Sequence, residues 1–136
     1  MHIKNLLTQR MAGAGLAGIL SLLVILHSLI LLRIVPFEVV WGGRLKSVSE
    51  MVVFETISIA ITLVMLTVAV AAGGYLTVRI NRVAIRVALL IMLAVFLLNT
   101  IGNLLSTNRF EQMIFAPITL IASGLCMKLA SVKKSE

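Results

Sequence analysis

Four side chains able to carry proton, cation or ligand chemistry lie inside runs that are otherwise hydrocarbon: His27, Glu55, Asn99 and Asn103. A carboxylate among apolar residues can hold a proton, a cation or a polar ligand, and an imidazole beside it would complete an acid/base pair. Glu55, Ser58 and Thr62 recur at i, i+3 and i+7 and therefore share one helical face. Asn103 stands one turn from Asn99 on a second face. An unpaired amide or carboxylate is costly in hydrocarbon, so these groups should face the bundle interior and one another. The expectation is a polar pocket formed by His27, Glu55, Ser58, Thr62, Asn99 and Asn103, capped by a loop that supplies Trp41 and Arg44. The plainer readings are that Glu55 snorkels outward or pairs with Arg33, Arg44 or His27, that His27 is a satisfied core residue, and that the two amides join helices.

Other chemistry is poorly provided for. The sequence has no Gly-rich phosphate loop after a strand and no HExxH, CxxC or GxSxG. The five Glu, two His and single Cys126 form no metal set, Asp is absent, and no cofactor is expected. Cys126 reads as a small apolar helix residue.

The surrounding chain is oily. Of 136 residues 60% are hydrophobic, and mean hydropathy is +1.13. Soluble domains average about 45–50% apolar residues. The excess falls in four runs at about 11–32, 51–72, 83–105 and 109–131, each long enough to cross a bilayer. The fold expected is a single all-α domain over residues 1–136, an up-down bundle of four transmembrane helices. The first run is too long for a signal-peptide core and is not followed by a small-residue cleavage site, so it reads as a retained span.

The breaks position the polar residues. Residues 1–10 form a short amphipathic lead-in with His2, Lys4 and Arg10 toward water or headgroups. Pro36 should stop span 1. Phe37 and Trp41 suit an interfacial aromatic belt, and Gly42-Gly43 permits a tight turn. Val39, Val40 and Leu45 suggest that the 34–50 loop lies on the membrane or folds into the bundle mouth. Ser47 and Glu50 fit a capping box at the start of span 2, and Asn108 and Glu111 fit another before span 4. Pro117 should kink span 4. Ala14/Gly18 and Gly13/Ala17 are small-xxx-small pairs that would let span 1 pack closely. Arg33 and Arg44 are expected at headgroups or beside Glu38 and Glu50.

The net charge of +7 does not point to nucleic acid, because the basic residues edge the apolar runs. Eight Lys or Arg lie with the termini and the span 2–3 connection; Arg33, Arg44, Lys46 and Arg109 lie on the opposite side. That bias predicts cytoplasmic termini, an inner-membrane multi-pass protein and an outward-facing 34–50 loop. At 1.5 Å per residue His27 and Asn99 then lie roughly 7–8 Å outward of mid-span, and Glu55 roughly 10 Å.

The segments PFEVVWGGRLKS, EMVVFE, NTIGN and FAPIT resemble small bacterial four-span membrane proteins, a resemblance that covers most of the chain and implies no particular activity. Small multidrug resistance transporters are similar in size but carry their essential Glu in span 1, where this chain has none. The sterol isomerase and sigma-2 receptor group also builds an acidic, His-bearing membrane cavity, with motifs that differ from those here. The leading expectation is an outward-facing pocket that binds a lipid or small amphipathic ligand, or docks a partner membrane protein. The alternatives are an oligomeric proton- or cation-coupled transporter titrating at Glu55, an accessory subunit, and, last, an enzyme pairing Glu55 with His27.

Overall fold

A computed structural model describes residues 2–133. Lys134 and Glu136, counted in the charge balance, lie outside the described residues, as does the side chain of His2. The described residues are all-helical: α1 (His2–Leu31), α2 (Val48–Ala72), α3 (Arg82–Leu104) and α4 (Ala116–Ala130), the last preceded by a π-helical stretch, Glu111–Phe115. Four segments, Thr8–Leu31, Val48–Ala72, Arg82–Leu104 and Glu111–Ala130, are long and apolar enough to span a membrane.

The helix ends follow from local chemistry, with two departures from expectation. Residues 2–10 are not a separate lead-in; they continue α1 without a break. Pro36 does not end α1. Arg33 takes a left-handed conformation (φ 60°), and the Ile34 amide returns to the Leu29 carbonyl at 2.9 Å, a Schellman closure completed before the proline. Pro117 falls just after the π-helical stretch, in which the Ala116 amide bonds the Glu111 carbonyl five residues back. The extra residue per turn absorbs the missing proline donor. Elsewhere the expected cap forms at Ser47, which accepts from the Glu50 amide at 3.2 Å, and a further, unexpected cap forms at Asn81, which accepts from the Val83 amide at 2.9 Å. Glu50 reaches back one residue further than a capping box requires, to the Lys46 amide at 2.9 Å.

Packing resolves into two helix pairs. Gln9 Nε2 donates to the Ala72 carbonyl at 2.6 Å while His27 meets Glu55, so α1 and α2 run antiparallel. Thr100 faces Thr119 at 2.8 Å and Gln112 reaches the Leu104 carbonyl, so α3 and the fourth span do the same. α1 also packs on α4, whereas α2 and α3 barely touch. The main core, with Leu16, Leu20, Leu89, Met92, Phe96 and Cys126, occupies the half away from the long loop. Leu22, Ile25, Met113 and Leu120 point outward, as a lipid-covered surface requires.

The α1–α2 pair closes on glycine, on the face of one of the two small-xxx-small pairs: Gly13 and Ala17 face the bundle, whereas Ala14 and Gly18 are exposed. A Cβ at Gly13 would lie 2.4 Å from the Gly73 Cα, whereas one at Gly18 would meet nothing within 4 Å. The tight contact is therefore Gly13 against the cap of α2. Gly13→Ala should destabilise the protein by about 1–3 kcal/mol, the usual cost of overpacking. Gly18→Ala should not. Thermal unfolding in detergent measures both, and equal midpoints would refute the backbone contact.

Candidate functional site

The loop between α1 and α2 folds into the bundle mouth. Val40 and Leu45 are buried there with Ile30 and Met51, flanked by Phe37, Val39 and Phe115. The same loop contains a turn of three successive left-handed residues, Trp41 (φ 58°), Gly42 (φ 62°) and Gly43 (φ 70°). Glycine accepts that backbone freely, but tryptophan does not, at a cost of order 1–3 kcal/mol.

Two buried carboxylates hold the turn. Glu55, 0% exposed on α2, accepts the Trp41 indole N–H on Oε1 at 2.7 Å and faces His27 Nδ1 through Oε2 at 2.6 Å. Glu111, 4% exposed in the π-helical stretch, accepts the Gly42 amide on both oxygens at 3.0 Å and the Ser106 hydroxyl on Oε2. Adjacent residues of one loop thus satisfy acids from two different spans. Asn108 adds a third tie, donating to the Val39 carbonyl at 2.6 Å. Trp41 also packs edge-on against Phe54, with ring centroids 5.2 Å apart.

Beneath this turn lies a cavity of about 690 Å³, within the ~300–1,000 Å³ typical of small-molecule sites. Residues of all four spans and of the long loop line it, with Ser58 to Met65 of α2 opposite Val95 to Asn103 of α3. Of the eight expected pocket residues, His27, Trp41, Arg44, Ser58, Thr62, Asn99 and Asn103 line it. Glu55 does not. It sits behind His27 and Trp41, so the carboxylate expected to meet a ligand instead positions the groups that can.

The polarity of the lining is unusual for its setting. Thr62 returns its hydroxyl to the Ser58 carbonyl. The side chains of Arg44, Ser58, Asn99 and Asn103 make no hydrogen bond among the described residues. His27 is partnered at Nδ1 alone. Its side chain is 20% exposed, and no buried polar side-chain atom among the described residues lacks a partner, so Nε2 opens to the cavity. A carboxylate bonded to one imidazole nitrogen fixes the ring and leaves the other available to a ligand. The site thus offers two amides, a hydroxyl, an imidazole nitrogen and a guanidinium.

Several pairings differ from those the sequence suggests. Arg33 and Arg44 pair with neither Glu38 nor Glu50; the one acid–base contact within salt-bridge distance among the described residues is His27–Glu55. Trp41 turns its N–H inward rather than toward an interface. Asn108 does cap its helix through the Phe110 amide at 2.9 Å, but Glu111 leaves that cap for Gly42. Glu111, Gly42 and Ser106 are the site residues that sequence reasoning missed. Glu111 resembled a cap; the available signal was that it opens the span carrying Pro117, at the loop end of the bundle.

Trp41→Phe keeps the ring beside Phe54 and removes the N–H, leaving Glu55 Oε1 unpartnered. The expected loss is about 1–3 kcal/mol, larger than that for Phe54→Leu, as measured by thermal unfolding in detergent. The reverse order would show that ring packing, not the carboxylate, holds the turn. Comparison with protein-family models, with curated proteins and with solved structures returns no match.

Proposed function

We propose that this protein is an up-down four-span bundle of the cytoplasmic membrane that binds a lipid or small amphipathic molecule in an outward-facing polar pocket. The observation that carries this reading is the set of polar side chains at Ser58, Asn99 and Asn103 that line the cavity and are left without protein partners. At membrane depth an unsatisfied amide costs several kcal/mol. A bound polar group repays that cost, while the apolar residues around it accept a hydrocarbon moiety. The basic bias toward the termini supports placing the pocket on the outer side.

Two experiments test the reading. Asn99→Leu with Asn103→Leu should abolish adducts of lipid mass in native mass spectra of protein extracted from membranes, with thermal stability unchanged or raised. Adducts that survive the double substitution would sink the proposal. For orientation, Lys46→Cys should react with a membrane-impermeant maleimide on intact cells; reaction only after permeabilisation would reverse the topology.

A further inference from the structure

The polar cavity does not end at Thr62. It continues along the α2–α3 seam into a second groove of about 380 Å³, and Ile61 and Met65 line both. Ala60, Val64 and Val68 of α2 and Ala88, Ile91 and Met92 of α3 form its walls. The polarity of the seam is ordered along the helix axes. Arg44 stands at the loop end, Asn103 and Asn99 follow on successive turns, α2 contributes Ser58 and then Thr62, and only apolar side chains line the groove beyond. From Asn103 to Ala88 the seam runs about 22 Å at 1.5 Å per residue, which exceeds the ~15 Å hydrocarbon depth of one leaflet.

This order matches a phospholipid standing in its own leaflet: phosphate at the interface, ester and hydroxyl oxygens one layer in, acyl chain deepest. The geometry points to an anionic glycerophospholipid as the occupant, entering sideways between α2 and α3 with its phosphate on Arg44 and its chain in the apolar groove. The assignment rests on the amphiphile reading above and narrows it. Charge selects the headgroup. Glu55 lies behind the lining; Glu111 borders the cavity, but its oxygens already accept from the Gly42 amide and Ser106, whereas the exposed Arg44 guanidinium has no partner among the described residues. A guanidinium matches the geometry of phosphate oxygens. The neutral amides, Ser58 and His27 Nε2 suit the uncharged oxygens of the glycerol region. The groove accommodates a hydrocarbon chain, which a free phosphate lacks.

The full-length protein in mixed micelles with equal amounts of phosphatidylglycerol and phosphatidylcholine provides the test, read by native mass spectrometry. The expected result is preferential retention of one phosphatidylglycerol. Arg44→Gln should reduce that preference about tenfold, the scale of one charge-assisted hydrogen bond, and Arg44→Lys should keep part of it. Ala60→Phe, which fills the groove, should weaken retention of both lipids while thermal unfolding confirms the fold. Inorganic phosphate should displace neither. Equal retention of the two lipids, an unchanged preference in Arg44→Gln, or displacement by phosphate alone would overturn the assignment. If both lipids bind equally and both are lost in the Asn99/Asn103 double variant, the amphiphile reading stands and the anionic lipid falls; no adduct of either lipid refutes both.

Discussion

Two carboxylates enclosed at the loop end of an apolar bundle govern the rest of the structure. Neither Glu55 nor Glu111 has a Lys or Arg partner within bonding reach among the described residues. A buried carboxyl group left without hydrogen-bond donors costs several kcal/mol, more than the strain of a left-handed tryptophan. The loop therefore adopts its conformation because the acids require donors, and one short turn supplies the indole N–H to one acid and a backbone amide to the other. Glycine at position 42 matters because the amide must be presented from a left-handed backbone (φ 62°).

This arrangement explains why a cavity persists. In lipid there is no hydrophobic drive to press one helix on another, so pairing depends on close packing and polar ties. α1 and α2 have both, through Gly13 against Gly73 and His27 against Glu55. α3 and the fourth span have Thr100 with Thr119 and Gln112 with the end of α3. The two pairs are joined across the loop end by the turn and, in the other half, by the core around Leu16, Leu20 and Phe96. No comparable tie joins α2 to α3, and the polar side chains along that seam remain uncommitted.

Much of this frame can be read from the sequence, because span length and caps are local properties. Ser47 and Asn108 cap where their types predict, and polar residues at helical spacing locate most of the cavity wall. Depth along a span identifies which groups share a level, but it does not reveal which one reaches the cavity. Glu55 and His27 lie at similar depths; only packing shows that Trp41 closes over the acid and leaves the imidazole open. Glu111 was illegible for the same reason, since its partners are 69 residues away at Gly42 and 5 residues away at Ser106. The Schellman closure at Arg33 was hidden because non-glycine residues seldom take that backbone, and Pro36 offered a simpler stop.

The enclosure of Glu55 also bears on the competing reading of coupled transport. A titrating carboxylate in a carrier must exchange protons or ions with water on each side in turn. Here both oxygens of Glu55 are occupied, one by Trp41 and one by His27, and the residue has no exposed surface. Below the cavity the seam is walled by Ala60, Val64, Val68, Ala88, Ile91 and Met92, which offer nothing to stabilise a hydrated ion. A path for ions would need α2 and α3 to part along that whole length and admit water against an apolar surface. A hydrocarbon chain needs no such rearrangement, because the groove already matches it in polarity and direction. The same seam that argues against an aqueous route therefore favours a ligand with a polar head and an apolar tail.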